Sequence, residues 1–243
     1  MNLIETISEK TLLADGAMGT MLHARGIGFD KCFDELNLTN PVAVAEIHRE
    51  YIEAGAQLII TNTFSANRFE LSKHGLQDDM AEINRAGVEL ARRVVSASYK
   101  DVLIAGDVGP LGVRIAPYGR VKPEQAREAF AEQIRALTDA GADLIVIETM
   151  TDVYETVEAI QAARSAGSLP VVATMTFTRD DRTLLGDAPG KVARGLADAG
   201  ADVINVADSP MARMRMSAWA VCDVVQRKIG VETTLHFPTR GRN

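Results

Sequence analysis

Short apolar runs alternate with amphipathic stretches along the whole sequence. The runs are continuously apolar, which is typical of strands buried on both faces of a parallel sheet. The stretches between them carry apolar side chains at helical spacing. The pattern predicts seven strands, at residues 12–18, 58–64, 102–109, 144–150, 170–177, 202–208 and 232–237.

The predicted helices begin and end with residues that favour those positions. The helix at 41–55 has Asn40 as its N-cap and Pro41 at its first position, and Gly55 ends it. Further helices, each ending in a glycine, are predicted at residues 122–141, 151–167, 190–200 and 209–230. We expect each of these glycines to cap its helix in the left-handed conformation, so that the chain then enters the next strand.

One unit occurs three times, at residues 54–65, 140–151 and 199–210: Ala-Gly-Ala, a polar residue, an apolar run and a polar tip. Repeated units of strand and helix form an open doubly wound sheet or a closed barrel. No Gly-x-Gly-x-x-Gly follows the first predicted strand, and polar residues follow many strands, which favours a TIM-type (β/α) barrel. Because a closed barrel needs eight strands, residues 1–243 are predicted to form one α/β domain, an incomplete barrel of about seven parallel strands.

Charge and composition narrow the classes of partner. The net charge of −7 disfavours nucleic acid and anionic membranes. No apolar run is long enough to span a membrane, and the N-terminal residues lack the apolar region of a signal peptide. The two cysteines are too few for a disulfide framework. We therefore predict a cytoplasmic protein that acts on a small molecule.

Candidate site residues lie at the predicted strand ends, where a barrel builds its site. Asp15 and Gly16 end the first strand, Asn62 and Thr63 end the second, and Glu148 ends the fourth. Two carboxylates at two strand ends suit the amino group of an amino acid, and a glycine lets a ligand approach the backbone. The alternative is structural: a turn at Asp15, caps at the second strand and an ion pair at Glu148.

Several motifs, in order, resemble those of homocysteine S-methyltransferases over about residues 8–200: LLADGAMGTML, ELNLTNPVAVAEIHREYIEAGAQLIITNTFSAN, AGDVGPLG and GADLIVIETMTD. In particular they resemble the N-terminal half of bacterial proteins that fuse this domain to a methylenetetrahydrofolate reductase. The resemblance implies a (β/α)8 barrel in which zinc, held by three cysteines, converts the homocysteine thiol to a thiolate that accepts a methyl group, giving methionine. It also implies that Asp15, Gly16 and Glu148 hold the amino acid and that Asn62 and Thr63 line its pocket.

The sequence departs from the family pattern at the third tip. The family's first zinc cysteine is expected there, but Asp208 stands at or next to that position, and the later pair of cysteines is absent. The only cysteines are Cys32 and Cys222, so we expect no zinc site and assign no catalytic residue. From about Gly200 onward the sequence resembles the start of the reductase instead, which implies that residues 201–243 are a reductase-like segment completing the sheet. Most of the reductase barrel is missing, so we do not expect FAD.

Three hypotheses for function therefore remain open. The first is a homocysteine S-methyltransferase domain, impaired or inactive because its zinc ligands are missing. The second is a vestigial amino-acid-binding domain without catalysis, and the third is a fragment of a reductase fusion. In each case an unpaired barrel edge would favour a homo-oligomer.

Overall fold

The computed structural model describes residues 3–178, 180 and 182–207. Its helices are α1 Leu3–Glu9, α2 Met18–Ala24, α3 Leu36–Thr39, α4 Pro41–Glu53, α5 Arg68–Ser72, α6 Met80–Ser98, α7 Pro123–Asp139, α8 Val153–Ala166 and α9 Pro189–Ala199, with a 3-10 turn at Gln77–Asp79. Its strands are β1 Leu58–Ile60, β2 Leu103–Val108, β3 Leu144–Met150, β4 Val171–Thr176 and β5 Val203–Ala207. No helix in the described ranges is long and apolar enough to cross a membrane.

The five strands form one parallel sheet in the order β1-β2-β3-β4-β5, with helices on the connections. This confirms an α/β fold of the predicted kind, although the sheet does not close into a barrel within the described residues. The predicted strands at 58–64, 102–109, 144–150, 170–177 and 202–208 are present with shorter bounds. The predicted strand at 232–237 and the helix at 209–230 lie outside the described residues.

The predicted strand at residues 12–18 is wrong. The chain makes a single parallel bridge there, from Ala14 to Leu58, and α2 begins at Met18. The reason is the Asp15 side chain, whose Oδ2 accepts a hydrogen bond from the Ile60 backbone N–H at 2.9 Å. The carboxylate thus takes the donor that a longer strand would have paired through its backbone.

The helix ends confirm most of the predicted glycine caps. Gly55, Gly141 and Gly200 have φ values of +109°, +93° and +108°, and the residue after each donates its N–H to the carbonyl five positions earlier, at 3.0–3.1 Å. These two features define the Schellman motif. Gly167 differs, because its φ of 169° is extended backbone.

The polar residue of each repeated unit ties the start of its strand to the preceding strand or, in the first unit, to the segment before α2. Asp143 Oδ2 accepts from the Ile104 N–H at 2.8 Å, and Asp202 Oδ2 accepts from the Val171 N–H at 2.7 Å. Each carboxylate also pairs with an arginine of a flanking helix, Asp143 with Arg92 of α6 and Asp202 with Arg164 of α8. In the first unit Gln57 has the same position, and its Oε1 accepts from the Leu13 N–H at 3.4 Å. The repeat is therefore a structural joint.

The two faces of the sheet bury separate apolar clusters. The larger cluster lies between the sheet and its helices and includes Ile104, Ile147 and the fully buried Phe130 of α7. The smaller cluster lies on the opposite, inner face, where Leu3 of α1 packs against alternate residues of the first three strands: Leu58, Leu103, Ala105, Leu144 and Val146. Because side chains alternate along a strand, the next inner positions beyond this cluster are Asp107 of β2 and Glu148 of β3. The inner face is thus apolar at the start of the strands and acidic at their carboxyl ends.

Candidate functional site

Four carboxyl side chains interact at the carboxyl ends of the strands: Asp15, Asp34, Asp107 and Glu148, here called the carboxyl cluster. Asp107 connects them, because its pKa is raised well above the ordinary value by burial and then by the charges of Glu148, Asp34 and Asp15, in that order. The four come from separate parts of the chain: the turn before α2, the loop before α3, strand β2 and strand β3. The parallel sheet brings them together because it places its strand ends at one edge.

The two carboxylate oxygens of Asp15 differ in their hydrogen bonding. Oδ2 accepts the Ile60 N–H, and Oδ1 is buried with no hydrogen-bond partner among the described residues. Burial, with a smaller contribution from the charge of Glu148, raises the pKa of Asp15 to about 7, against the backbone hydrogen bond from Ile60. The structure thus brings Asp15 and Glu148 within electrostatic reach of each other.

Asp107 and Asp34 lie deeper. Asp107 is 5% exposed, and its Oδ1 also has no partner in the described part of the chain. Asp34 Oδ1 accepts from the Ser65 N–H at 3.0 Å, while burial raises the pKa of this carboxyl to about 7. Burying carboxyl groups together disfavours their charged forms, so the cluster holds protons near neutral pH.

Glu148 lies at an irregularity in β3. Ile147 pairs with Ala173 and Met150 with Met175, so two residues of β3 oppose one residue of β4. Thr149, inside this bulge, has a φ of +58°, a conformation that is costly for a β-branched residue. Bulges re-aim side chains, and backbone strain of this kind is concentrated at functional sites.

Asn62 and Thr63 are engaged in hydrogen bonds within the protein. The Asn62 side-chain amide donates to the Phe33 carbonyl at 2.7 Å, and Thr63 Oγ1 donates to the Asp107 carbonyl at 2.9 Å. Gln133 of α7 donates to the carbonyls of both Thr63 and Asp107, at 2.8 and 3.3 Å. These bonds fix the strand ends that carry the carboxyl cluster. That Asn62 and Thr63 contact a ligand stays a prediction.

Gly16 lies against Tyr51 of α4. A Cβ at Gly16 would come within 2.9 Å of Tyr51 Oη, and that hydroxyl donates to the Ala17 carbonyl at 3.2 Å. A side chain at position 16 would therefore displace the Tyr51 hydroxyl beside the turn that presents Asp15. Sequence reasoning missed Tyr51, and it also missed Asp34, although Asp34 lies between Phe33 and Leu36 in a loop with apolar neighbours.

The residues present do not fit a three-thiolate zinc site. Within the described ranges, no group of three His, Cys, Asp or Glu side chains could hold a metal ion. Cys32 is buried, and its Sγ donates to Asp34 Oδ2 at 3.9 Å. Cys222 and Asp208 lie outside the described residues. The whole sequence contains two cysteines, one fewer than such a site needs.

Comparisons with known proteins agree on one family. The family model described as homocysteine S-methyltransferase matches residues 12–219, which extends past Gly200. The methionine synthases of Mycobacterium tuberculosis (strain ATCC 25618 / H37Rv) and Mycobacterium leprae (strain TN) are 31% and 30% identical over 219 and 220 residues. Each match covers 84% of this chain, which spans 18% of the length of those relatives.

Solved structures agree. The metallated form of the homocysteine methyltransferase MmuM from Escherichia coli superposes with a TM-score of 0.74 at 25% identity, covering 82% of this chain and 75% of that one. Its apo form, at 23% identity, gives a TM-score of 0.67 and covers 94% and 80%, which supports the fold. The chain belongs to the homocysteine S-methyltransferase family.

Proposed function

We propose that this chain binds L-homocysteine through the carboxyl cluster, as the homocysteine-binding part of a methyltransferase. The observation that carries the proposal is the buried Oδ1 of Asp15, which has no hydrogen-bond partner among the described residues and lies within electrostatic reach of Glu148. An ammonium group supplies three donors and a positive charge, and it forms strong charge-assisted hydrogen bonds with carboxylates. Family membership supports homocysteine as the amino acid and the transfer of a methyl group to its thiol, giving methionine, as the reaction of the whole protein.

The chain's own residues would orient the amino acid. Asp15 and Glu148 hold the ammonium group, and the glycine at position 16 leaves the backbone of the turn accessible. The thiol is a nucleophile only as its thiolate. A zinc ion would supply that activation through the family's three cysteines, a set that this sequence lacks.

Isothermal titration calorimetry with L-homocysteine tests the binding. We expect Asp15→Asn and Glu148→Gln each to weaken binding about tenfold to a hundredfold, the value of a hydrogen bond to a charged group. Glu124→Gln, on the exposed first turn of α7, is the matched control and should bind as the wild type does. Equal affinities of all four proteins would contradict the proposal.

The second candidate, an amino-acid-binding domain without catalysis, is favoured by the cysteine count. We expect the purified chain to carry no stoichiometric zinc and to make no methionine from homocysteine with S-methylmethionine or methylfolate as donor. Zinc analysis and a methionine assay measure both. One zinc per chain, or zinc-dependent methionine formation, would contradict this expectation and leave the first candidate.

The reductase-like origin of residues 201–243 stays a prediction, and with it the third hypothesis. The family match includes residues 201–219, so only 220–243 lie beyond it. Binding of FAD to the purified chain, measured by flavin fluorescence, would support the third hypothesis, and we expect none.

A further inference from the structure

The helical layer of the molecule carries a groove between α4 and α6, here called the α4–α6 groove. It has a volume of about 470 Å³, and its apolar lining consists of Ala45, Ile52, Leu90, Val94 and Ala97. On each helix these side chains recur at helical spacing, so each helix presents an apolar stripe along its axis. A groove between two such stripes has the shape into which a third helix packs.

The α4–α6 groove is separate from the carboxyl cluster. Helix α4 ends at Glu53 and α6 at Ser98, shortly before β1 and β2 begin, and both of these residues line the groove together with Lys100. The groove therefore extends towards the end of the sheet where the strands start, whereas the carboxyl cluster lies where they finish. A ligand in the groove would leave the amino-acid site accessible.

The charged residues of the groove are mainly basic. Among the described lining residues, Arg49, Arg93 and Lys100 are basic and Glu53 is the acid, although the chain as a whole has a net charge of −7. The ion pair between Arg49 and Glu53, at 3.9 Å, is exposed and contributes little. Lys100 Nζ donates to the Ile52 carbonyl at 2.8 Å, and its ammonium group has further donors. The groove is thus a basic region on an acidic molecule, which favours an acidic partner.

Tyr99 is an independent sign of a binding surface. It lies between Ser98 and Lys100, its side chain is 97% exposed, and its φ is +54°. This left-handed conformation is costly for a residue with a side chain, and Gly200 occupies the same position after α9. The exposed ring gives the fold no packing in return for that strain. Tyrosine is enriched among the residues that dominate binding energy at protein interfaces.

We propose that the α4–α6 groove docks an amphipathic helix of a partner protein, with apolar side chains in the groove and acidic side chains paired with Arg49, Arg93 and Lys100. Tyr99 packs against one end of that helix. Charge disfavours two other occupants. Residues 208–243 of this chain carry six basic and three acidic residues, and a second copy of the groove would bring the same basic side chains into opposition.

Fluorescence anisotropy with labelled synthetic peptides tests the docking. The probe is a helical peptide of about 18 residues, long enough to follow both helices, with leucines on one face and glutamates beside them. We expect saturable binding that weakens as the salt concentration rises. A peptide with lysine in place of every glutamate should not bind. A peptide of the same composition with its leucines scattered around the helix should bind at least about tenfold more weakly.

Variants locate the binding surface. Ala97→Glu and Arg93→Glu, both at exposed positions, should each weaken binding of the glutamate peptide about tenfold or more. Tyr99→Gly should weaken binding about tenfold and raise the urea midpoint of unfolding, because glycine relieves the strained backbone. Arg135→Glu and Tyr154→Ala, at exposed positions outside the groove, are the matched controls and should bind as the wild type does.

Each outcome bears on one part of the proposal. Absence of binding by the glutamate peptide at low salt, or equal binding of the glutamate and lysine peptides, would overturn docking of an acidic helix. Unchanged affinity in folded Ala97→Glu and Arg93→Glu would overturn the groove as its site, and unchanged affinity in Tyr99→Gly would overturn the role of Tyr99. Homocysteine binding in the calorimetry described above is measured separately, so its failure would leave the docking proposal standing.

Discussion

His48 of α4 is fully buried, and neither ring nitrogen has a hydrogen-bond partner among the described residues. Burial lowers its pKa from 6.5 to about 4. Below about pH 6.5 the unfolded chain therefore takes up a proton at His48, whereas the folded chain does not. The free energy of unfolding consequently falls as the pH drops from 6.5 towards 4.

We expect His48→Leu to remove that sensitivity to acid. At pH 7 the variant should be about as stable as the wild type, because the histidine forms no hydrogen bond with the described residues that the substitution would break. At pH 5 it should be more stable by about 1–2 kcal/mol. Urea unfolding at both pH values measures the difference, with exposed His74→Gln as control. An advantage that is equal at the two pH values would contradict the assigned protonation.

At the scale of single residues, the position of an acid at the end of an apolar run predicted its place in the carboxyl cluster better than its residue type did. Asp15 and Glu148 could be predicted because polar residues that end apolar runs must meet at the carboxyl edge of a parallel sheet. Asp34 could not, because it lies in a loop whose burial depends on how Phe33 and its neighbours fold back over the strands. The bulge that carries Thr149 could not be predicted from the sequence either, since it adds one residue without changing the apolar pattern.

At the scale of elements, two helical glycines should respond to alanine with opposite signs. A Cβ at Gly87 of α6 would lie 2.7 Å from Thr63 Cγ2 and 2.8 Å from Asn37 Nδ2, both in buried residues. A Cβ at Gly195 of α9 would meet nothing within 4 Å. Overpacking typically costs about 1–3 kcal/mol, whereas replacing an unconstrained helical glycine by alanine gains about 0.5–1 kcal/mol.

We therefore expect Gly87→Ala to lower the free energy of unfolding and Gly195→Ala to raise it. Each variant is the control for the other, because both add one methyl group to a helix interior. Urea unfolding at one pH gives both values. Stabilisation by Gly87→Ala would mean that α6 does not pack against the end of β1 in solution.

Elements with clear termination signals were predicted well, and the others were not. Helices α4, α7, α8 and α9 were predicted from their apolar spacing and final glycines. Helix α6 was missed, because it ends at Tyr99 in the left-handed conformation without a glycine to mark the boundary. The first predicted strand failed because a side chain, Asp15, replaced the backbone as the hydrogen-bonding partner.

At the scale of the whole molecule, buried acids should make stability fall as the pH rises through neutrality. Burial raises the pKa values of Asp15, Asp34 and Glu155 to about 7 each. A carboxyl with a raised pKa favours folding fully below the unfolded value near 4, and this contribution is lost as the pH rises through 7. Between pH 6.5 and 7.5 the loss should be on the order of 1–2 kcal/mol.

Urea unfolding at pH 6.5, 7.0 and 7.5 measures this slope. Above pH 6.5 the protonation of His48 contributes little, so the acids dominate this window. The triple variant Asp15→Asn, Asp34→Asn and Glu155→Gln should show a flatter profile than the wild type. A free energy of unfolding that increases across the window in the wild type would contradict the expectation.

The order of the sheet could be predicted from the choice of a barrel, because consecutive strands of a (β/α) barrel are neighbours. The closure of the barrel could not, since it depends on whether strands far apart in the chain meet. The membership of the carboxyl cluster depends on the same geometry, which is why two of its four acids were assigned to a ligand from sequence and two were not.

The three joints at Gly55, Gly141 and Gly200 make the chain modular. Each joint is completed by its own helix end, its own glycine and a side chain that bonds to the strand before it or, in the first unit, to the segment before α2. Two genes that recombine within a Gly-Ala-Asp codon run would thus exchange whole strand-and-helix units without breaking the joint itself. Recombination of this kind would keep Asp15 and Glu148, the acids proposed to bind the amino acid, while replacing the units nearer the C-terminus.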